Sequence, residues 1–188
     1  MNTLTLPCCY LAPASHYSAL LHAQEAQMEV HDHYTRQTLR NRCLIDSPQG
    51  VLSLSIPVVK PEGPTLTRDI RLSEHGNWRR QHWNALKSSY GQSPFFEYYA
   101  DDFAPFYESK WEYLADFNEE LMRLVCHLLD IQANIRRTES YQGDALAREF
   151  PPVKTPYWQV FGHKEGFRPG LSIVDLLFNM GPEGLLLL

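Results

Sequence analysis

The chain lacks the long apolar stretches and the cysteine patterns that mark membrane or secreted proteins. No run approaches the roughly 20 apolar residues that a membrane-spanning helix requires, and the amino terminus shows no basic region followed by an apolar run. The four cysteines include the adjacent pair Cys8 and Cys9 and no CxxC motif, which does not suit a disulfide framework. We therefore expect a cytoplasmic protein without a membrane span or a signal peptide.

Positive charge and glycine-rich phosphate loops are also scarce. The formal net charge is −5, so a broad phosphate-binding surface for nucleic acid is not expected. None of the patterns GxxxxGK(S/T), GxGxxG or GxSxG is present, which argues against a P-loop, a dinucleotide-binding turn and a nucleophile elbow. A small pocket for one anionic or sugar substrate is compatible with this composition. The sequence leaves the cofactor and the oligomeric state open.

What the sequence does contain is the pattern of one mixed α/β domain over residues 1–188. Alternating apolar and polar residues predict strands near residues 3–11, 28–30 and 52–56. Because strand, helix and strand follow one another early in the chain, we expect a central, mostly parallel sheet flanked by helices.

Helices are predicted mainly in the second half of the chain. They cover residues 78–89, 111–130 and 172–180, and the apolar stripe is strongest over residues 111–130. Asn77 is suited to cap the first of them, and Gly181 ends the last. Residues 185–188 are expected to pack as a final strand.

Polar and basic side chains are concentrated just after the predicted strand at residues 28–30. They are His31, His33, Arg36, Gln37, Arg40, Asn41 and Arg42. In open α/β sheets ligands bind beyond the carboxyl ends of the strands, so this position indicates a binding site. Since histidine titrates near neutrality, His31 or His33 would be a general base. Arg40 and Arg42 would hold an anionic group of the substrate.

Two other interpretations of this cluster stay open. His31 and His33 would need a third ligand, such as His16 or an acidic residue, to bind a metal ion, and the spacing fits no standard zinc pattern. No metal site is therefore predicted. A solvated loop with local ion pairs is the other interpretation.

An aromatic cluster lies on the helix predicted at residues 78–89. Trp78 and His82 are four residues apart and share one face of that helix. Aromatic faces bind the apolar face of a sugar ring, which makes both residues candidates for substrate binding. The alternative is a helix that packs on the sheet through its aromatic side chains.

A third candidate group lies on the last predicted helix. Ser172, Asp175 and Asn179 fall on one face of a helix that is otherwise apolar. A carboxylate on such a helix must be paired or hydrogen-bonded. We expect Asp175 to orient His31, His33 or Arg40, and Asn179 to contact the substrate. The alternative is that Asp175 faces solvent or caps a nearby loop.

Three stretches of the chain resemble the WbqC-like protein family. They read LPCCYLAPASHYSALLHA followed by HDHYTRQTLRNRCLI, then NWRRQHWNALKSSYGQSPFFEYYADDFAPFY, and finally LSIVDLLFNMGPEGLLLL. Where family members carry a Tyr-Phe pair that opens a helix, this chain has His16 and Tyr17, which the resemblance makes substrate-binding candidates. The family's Arg-Asn-Arg run is Arg40-Asn41-Arg42. Many longer members carry an insert where this chain has only residues 141–156.

The resemblance implies a function in bacterial surface-polysaccharide synthesis, such as that of O-antigen. Members are described as glycine transferases that decorate an amino sugar. We therefore expect transfer of a glycyl, other aminoacyl or acyl group to an amino sugar or a nucleotide sugar. Two alternatives stay open, which are a non-catalytic interaction or regulatory module of such a pathway and a metal-dependent hydrolase.

Overall fold

The structure is a computed structural model that describes residues 3–188, apart from the side chain of Glu165. Its strands are β1 (Leu4–Pro7), β2 (Glu25–Glu29), β3 (Arg42–Ile45), β4 (Leu52–Ser55) and β5 (Asn134–Arg137). Its helices are α1 (Ala14–Leu21), α2 (Trp78–Tyr90), α3 (Phe96–Glu108), α4 (Leu114–Leu128), α5 (Gly162–Glu165) and α6 (Ile173–Met180). Short 3₁₀ segments cover Thr67–Asp69, His75–Asn77 and Gly181–Leu187.

A parallel sheet forms in the order β1-β2-β5. Leu6 of β1 lies opposite Met28 of β2, and Ala26 of β2 lies opposite Ile135 of β5. All four side chains are buried, as expected for a parallel sheet that is covered by other elements. Because the strands are parallel, the chain leaves all three at the same side of the sheet, which we call the carboxyl edge.

A separate antiparallel hairpin is made by β3 and β4. Leu54 is buried beneath it, whereas Leu52 is 38% exposed. The backbone N–H of Ser172 donates to the carbonyl oxygen of Leu44 at 2.8 Å, so the hairpin is joined to the start of α6.

The core lies where the helices meet around α6. The ring of Phe178 contacts those of Tyr90, Phe96 and Phe103, with centroids 5.1–5.4 Å apart. Leu121, at the centre of the apolar stripe of α4, is fully buried in the same core. Aromatic packing of this kind stabilises the fold through both buried area and ring geometry.

The predicted single-domain α/β fold, with a parallel sheet and flanking helices, is confirmed. The helices predicted at residues 78–89 and 111–130 are α2 and α4. Helix α3 was not predicted from the sequence, because its dense aromatic residues and the internal Pro105 obscure the helical period.

The end of the chain differs from the prediction. Residues 185–188 were expected as a strand, but the segment Gly181–Leu187 is a 3₁₀ helix. Gly184 lies so close to the core that an added Cβ would come within 2.5 Å of Leu176 Cδ2. Asn77 also differs, because it has a left-handed backbone (φ 49°) and its side chain makes no capping hydrogen bond.

None of the helices within residues 3–188 combines the length and the apolar composition that a membrane-spanning helix needs.

The substitution Leu121→Ala should lower the free energy of unfolding by about 2–5 kcal/mol, because it opens a cavity at a fully buried position. Urea denaturation measures the change. Glu120→Ala, at the neighbouring exposed position, is the control and should change stability by less than about 0.5 kcal/mol. Equal losses of stability in both variants would contradict the buried position of the apolar stripe of α4.

Candidate functional site

A cleft of about 460 Å³ opens at the carboxyl edge of the parallel sheet. It is lined by His31, Asp32, His33, Thr35, Arg40, Tyr141, Asp144 and Leu146. The segment after β2 supplies most of this lining, and the segment after β5 supplies the rest. The cleft therefore has the position that ligands take in open α/β sheets.

The fully buried carboxylate of Glu29, at the end of β2, organises the groups around His31. It accepts hydrogen bonds from the backbone N–H groups of His31 and Gln142, both at 2.7 Å, and from the Thr138 hydroxyl at 3.1 Å. The Thr138 hydroxyl oxygen lies 3.1 Å from His31 Nδ1 and accepts a hydrogen bond from the backbone N–H of Val30 at 3.2 Å. A buried carboxylate with three donors is well satisfied, so these groups are held in place.

The hydrogen bonds of His31 define which ring nitrogen carries the proton. Nη1 of Arg68 lies 2.8 Å from His31 Nε2, and a guanidinium can only donate. Nε2 must therefore accept, and the proton of the neutral ring sits on Nδ1 and points to Thr138. The hydroxyl of Thr138 in turn donates to Glu29. His31 thus belongs to a chain of hydrogen bonds that ends on a buried carboxylate, with its lone pair on the outer side.

Arg40 forms a buried ion pair with Asp32. It is 3% exposed, its guanidinium pairs with Asp32, and it donates to the Thr35 hydroxyl at 2.9 Å. The Asp32 carboxylate also accepts from the Thr67 hydroxyl. Since its charge is balanced inside the protein, Arg40 forms part of the cleft wall and is not a free anion-binding group, contrary to the sequence-based expectation.

The remaining polar residues of this segment lie around a different depression of about 310 Å³. Arg36, Gln37, Asn41 and Arg42 line it together with residues of β4 and the segment that follows. The chain turns sharply at Gln37, whose φ is 57°. Residues on both sides of this turn contribute to each surface, since Thr35 and Arg40 line the cleft. The sequence cluster is therefore divided between two concave surfaces, and His31 and His33 lie only on the first.

His16 and Tyr17 lie on α1 and are buried. The ring of His16 packs against that of Phe150, with centroids 4.3 Å apart, and burial lowers the pKa of His16 to about 4. Neither side chain lines the cleft at the carboxyl edge. The structure does not bring them together with His31.

Trp78 and His82 lie in the core, which agrees with the alternative that this helix packs through its aromatic side chains. His82 Nε2 donates to the carbonyl oxygen of Ser55 at 3.2 Å, so Nδ1 accepts from the Tyr10 hydroxyl at 2.9 Å. Burial lowers the pKa of His82 to about 4. The ring of Trp78 packs edge-on against Phe117. The structure gives neither side chain a surface on which a sugar could stack.

Asp175 does not pair with the histidine cluster, so the expected contact with His31, His33 or Arg40 is wrong. Its carboxylate accepts hydrogen bonds from Tyr90 at 2.9 Å and from Tyr157 and Gln159, each at 2.7 Å. Burial raises the pKa of Asp175, and the three donors oppose that shift.

The position of α6 explains this difference. It packs on α2 and α3, so it presents Asp175 to the segment around residues 157–159 and not to the carboxyl edge. Asn179 is also buried, and its amide donates to the carbonyl oxygen of Asp175 at 2.7 Å.

The cysteines and the possible metal ligands give no further site. Cys8, Cys9, Cys43 and Cys126 are all buried and free. Burial raises the pKa of the Cys8 thiol to about 12, which disfavours a nucleophilic thiolate. Within residues 3–188, no three His, Cys, Asp or Glu side chains converge in a way that could hold a metal ion.

Comparison with known proteins identifies the family. The sequence model of the WbqC-like protein family matches residues 9–151. The chain belongs to the WbqC-like protein family. A relative from Mycobacterium tuberculosis, the uncharacterized protein Rv1507c, is 27% identical in an alignment that covers 80% of this chain and 81% of the relative. No solved structure matches this WbqC-like chain.

Sequence reasoning missed several residues of this WbqC-like protein that line the cleft or form hydrogen bonds around His31. They are Glu29, Arg68, Thr138, Tyr141 and Asp144. Thr138 follows β5 directly, as His31 nearly follows β2, so a search for polar residues after each parallel strand could have found it. Arg68 follows no pattern, because its place beside His31 depends on how a long loop folds back.

The variant Arg40→Ala should be destabilised by about 3–5 kcal/mol, because it leaves the Asp32 carboxylate buried without its cation. Chemical denaturation of the variant measures the loss. Arg36→Ala removes an exposed arginine of the same segment and should change stability by less than about 0.5 kcal/mol. A stable Arg40→Ala protein would contradict the structural role of this ion pair.

The free energy of unfolding should fall as the pH drops from about 6.5 to about 4. The unfolded chain protonates His16 and His82 near their usual pKa of about 6.5, whereas the folded chain does so only near 4. Between these values the unfolded state binds more protons, so acid favours it. Denaturation at several pH values measures this dependence. The free energy of unfolding of His82→Gln should vary less with pH than that of the wild type, while the exposed control His75→Gln should follow the wild type.

Proposed function

We propose that this protein is a cytoplasmic transferase of bacterial surface-polysaccharide synthesis, with its active site in the cleft at the carboxyl edge. The reaction would move an aminoacyl group, such as glycyl, or another acyl group to an amino sugar or a nucleotide sugar. The observation that carries the proposal is the position of His31, whose Nδ1 side joins a fixed chain to Thr138 and Glu29 and whose Nε2 lies on the outer side, next to Arg68.

In this proposal His31 is the general base. Nε2 takes a proton from the amine or hydroxyl of the acceptor sugar while that group attacks the carbonyl carbon of an activated acyl donor. A new C–N or C–O bond forms, the bond from the carbonyl carbon to the leaving group breaks, and the proton passes from His31 to that leaving group. Thr138 and Glu29 hold the ring in one tautomer and stabilise the positive charge that His31 carries between these steps.

The other residues of the cleft suit a sugar acceptor. His33 and the aromatic ring of Tyr141 line the cleft and are exposed to it. The Asp144 carboxylate accepts hydrogen bonds from the backbone N–H groups of Leu146 and Ala147 through Oδ1. Within residues 3–188 its Oδ2 has no such donor, which suits a contact with sugar hydroxyls. Aromatic and carboxylate groups side by side match the apolar face and the hydroxyl groups of a sugar ring.

The concave shape of the site favours an enzyme over an interaction module. A module that binds another protein would be expected to present His31 and Arg40 on a flat or convex surface. Both residues instead line a cleft whose volume lies within the range of small-molecule sites. The second depression, around Arg36, Gln37, Asn41 and Arg42, has room for an additional part of a substrate.

A transfer assay with activated aminoacyl and acyl donors and amino-sugar or nucleotide-sugar acceptors tests the proposal. A thermal-shift screen selects the compounds, because a ligand that binds the folded state raises its melting temperature. His31→Gln should reduce turnover by about 10²–10⁴-fold while the protein stays folded, since it loses the proton acceptor. His75→Gln changes an exposed histidine far along the chain and should keep wild-type turnover.

The variant Thr138→Val separates a positioning role from direct catalysis. It removes the hydroxyl that fixes the ring of His31 and should lower kcat more than it changes KM. Unchanged turnover in His31→Gln would contradict the assignment of the base. A screen in which no nucleotide, sugar or acyl compound stabilises the protein would contradict the proposed function.

A further inference from the structure

We infer that Arg68 forms an anion-binding subsite next to His31, which takes a phosphate or carboxylate group of the substrate. The inference rests on the proposed function in one respect, because it places this group beside His31, the proposed base. The contact that carries it is the hydrogen bond of 2.8 Å between Arg68 Nη1 and His31 Nε2.

The backbone around Arg68 is fixed to the segment that follows β2, and its side chain is accessible to solvent. The N–H of Arg68 donates to the carbonyl oxygen of Val30 at 3.1 Å, and the N–H of Thr67 donates to that of Asp32 at 2.9 Å. The Thr67 hydroxyl also donates to the Asp32 carboxylate. The side chain of Arg68 is 48% exposed. Arg68 is therefore a solvent-accessible group on a fixed backbone beside the base.

The charges around the cleft leave Arg68 as the suitable cation. The guanidinium of Arg40 is neutralised by Asp32, as described above. Arg68 contacts the Asp69 carboxylate only at 3.6 Å, and both side chains are about half exposed, so that pair is weak. The contact with His31 uses one N–H of Arg68, and the others can hold a phosphate or carboxylate in a bidentate arrangement.

Binding of an anion would also change the state of His31. While Nε2 accepts a hydrogen bond from Arg68, its lone pair is not available to take a proton from a substrate. A charged oxygen is a stronger acceptor than a neutral imidazole, so it would draw the guanidinium away from Nε2. The subsite thus selects substrates that carry an anionic group close to the reacting amine or hydroxyl, as sugar phosphates do.

The test uses inorganic pyrophosphate as the probe and the full-length protein. Calorimetry should show binding to the wild type and at least about tenfold weaker binding to Arg68→Gln, because a charge-assisted contact is lost. Arg68→Lys keeps the charge without the bidentate geometry and should lie between the two. Arg80→Gln removes an exposed arginine of α2 and should bind as the wild type does.

Nitrogen NMR of the His31 ring provides a second readout that a purely structural role of Arg68 would not change. Pyrophosphate should shift the Nε2 resonance of the wild type as the hydrogen bond from Arg68 is lost, and it should not do so in Arg68→Gln. Equal binding by Arg68→Gln and the wild type, no binding to the wild type, or binding without a change at Nε2 would each overturn the inference.

These outcomes are distinct from those of the proposed function. The pyrophosphate experiments need no turnover, and His31→Gln should still bind pyrophosphate because Arg68 remains. Arg68-dependent binding without any transfer activity would support the subsite and contradict the proposed function. If Arg68→Gln keeps both its transfer activity and its pyrophosphate binding, the result would support the proposed function and contradict the subsite.

Discussion

The buried carboxylate of Asp32 is the interaction on which the cleft depends. It pairs with Arg40 and accepts from the Thr67 hydroxyl, so one charge holds the loop after β2 together and joins it to the segment around Thr67. The carbonyl oxygen of Arg40 accepts the amide of Asn118 at 2.8 Å, which connects the same point to α4. The loop after β2 is thus held by a charge inside the protein, and its outer surface is left to form the cleft wall.

The parallel arrangement of the strands explains the rest of the site. Glu29 ends β2 and Thr138 follows β5, so these two residues become neighbours although they are far apart in the chain. The backbone N–H groups that follow both strands turn toward the Glu29 carboxylate, which therefore needs no cation. A fixed histidine at such a position is a consequence of the sheet topology and of the polar residues that follow its strands.

The fold and part of the site could be predicted from the sequence because they depend on local patterns of residues. The stripe of α4 and the alternation in β2 are local patterns, and the fold and family inferred from the sequence are confirmed. The position of His31 at a strand end could be predicted in the same way. The partner of Asp175 could not be predicted, because a buried carboxylate only requires donors, and hydroxyl and amide groups satisfy it as well as cations do.

The two edges of the small sheet also have a consequence for the behaviour of the protein. An open strand edge can recruit a strand of another molecule and begin aggregation. At one edge, β5 is short and charged, and its Arg137 is bound to Asp116 and Glu119 of α4 at 2.6 Å. At the other edge, Arg148 donates to the carbonyl oxygen of Thr5 in β1 at 3.1 Å. Arg148 thus occupies a backbone acceptor that a foreign strand would need, and the short, charged β5 disfavours strand pairing at the other edge.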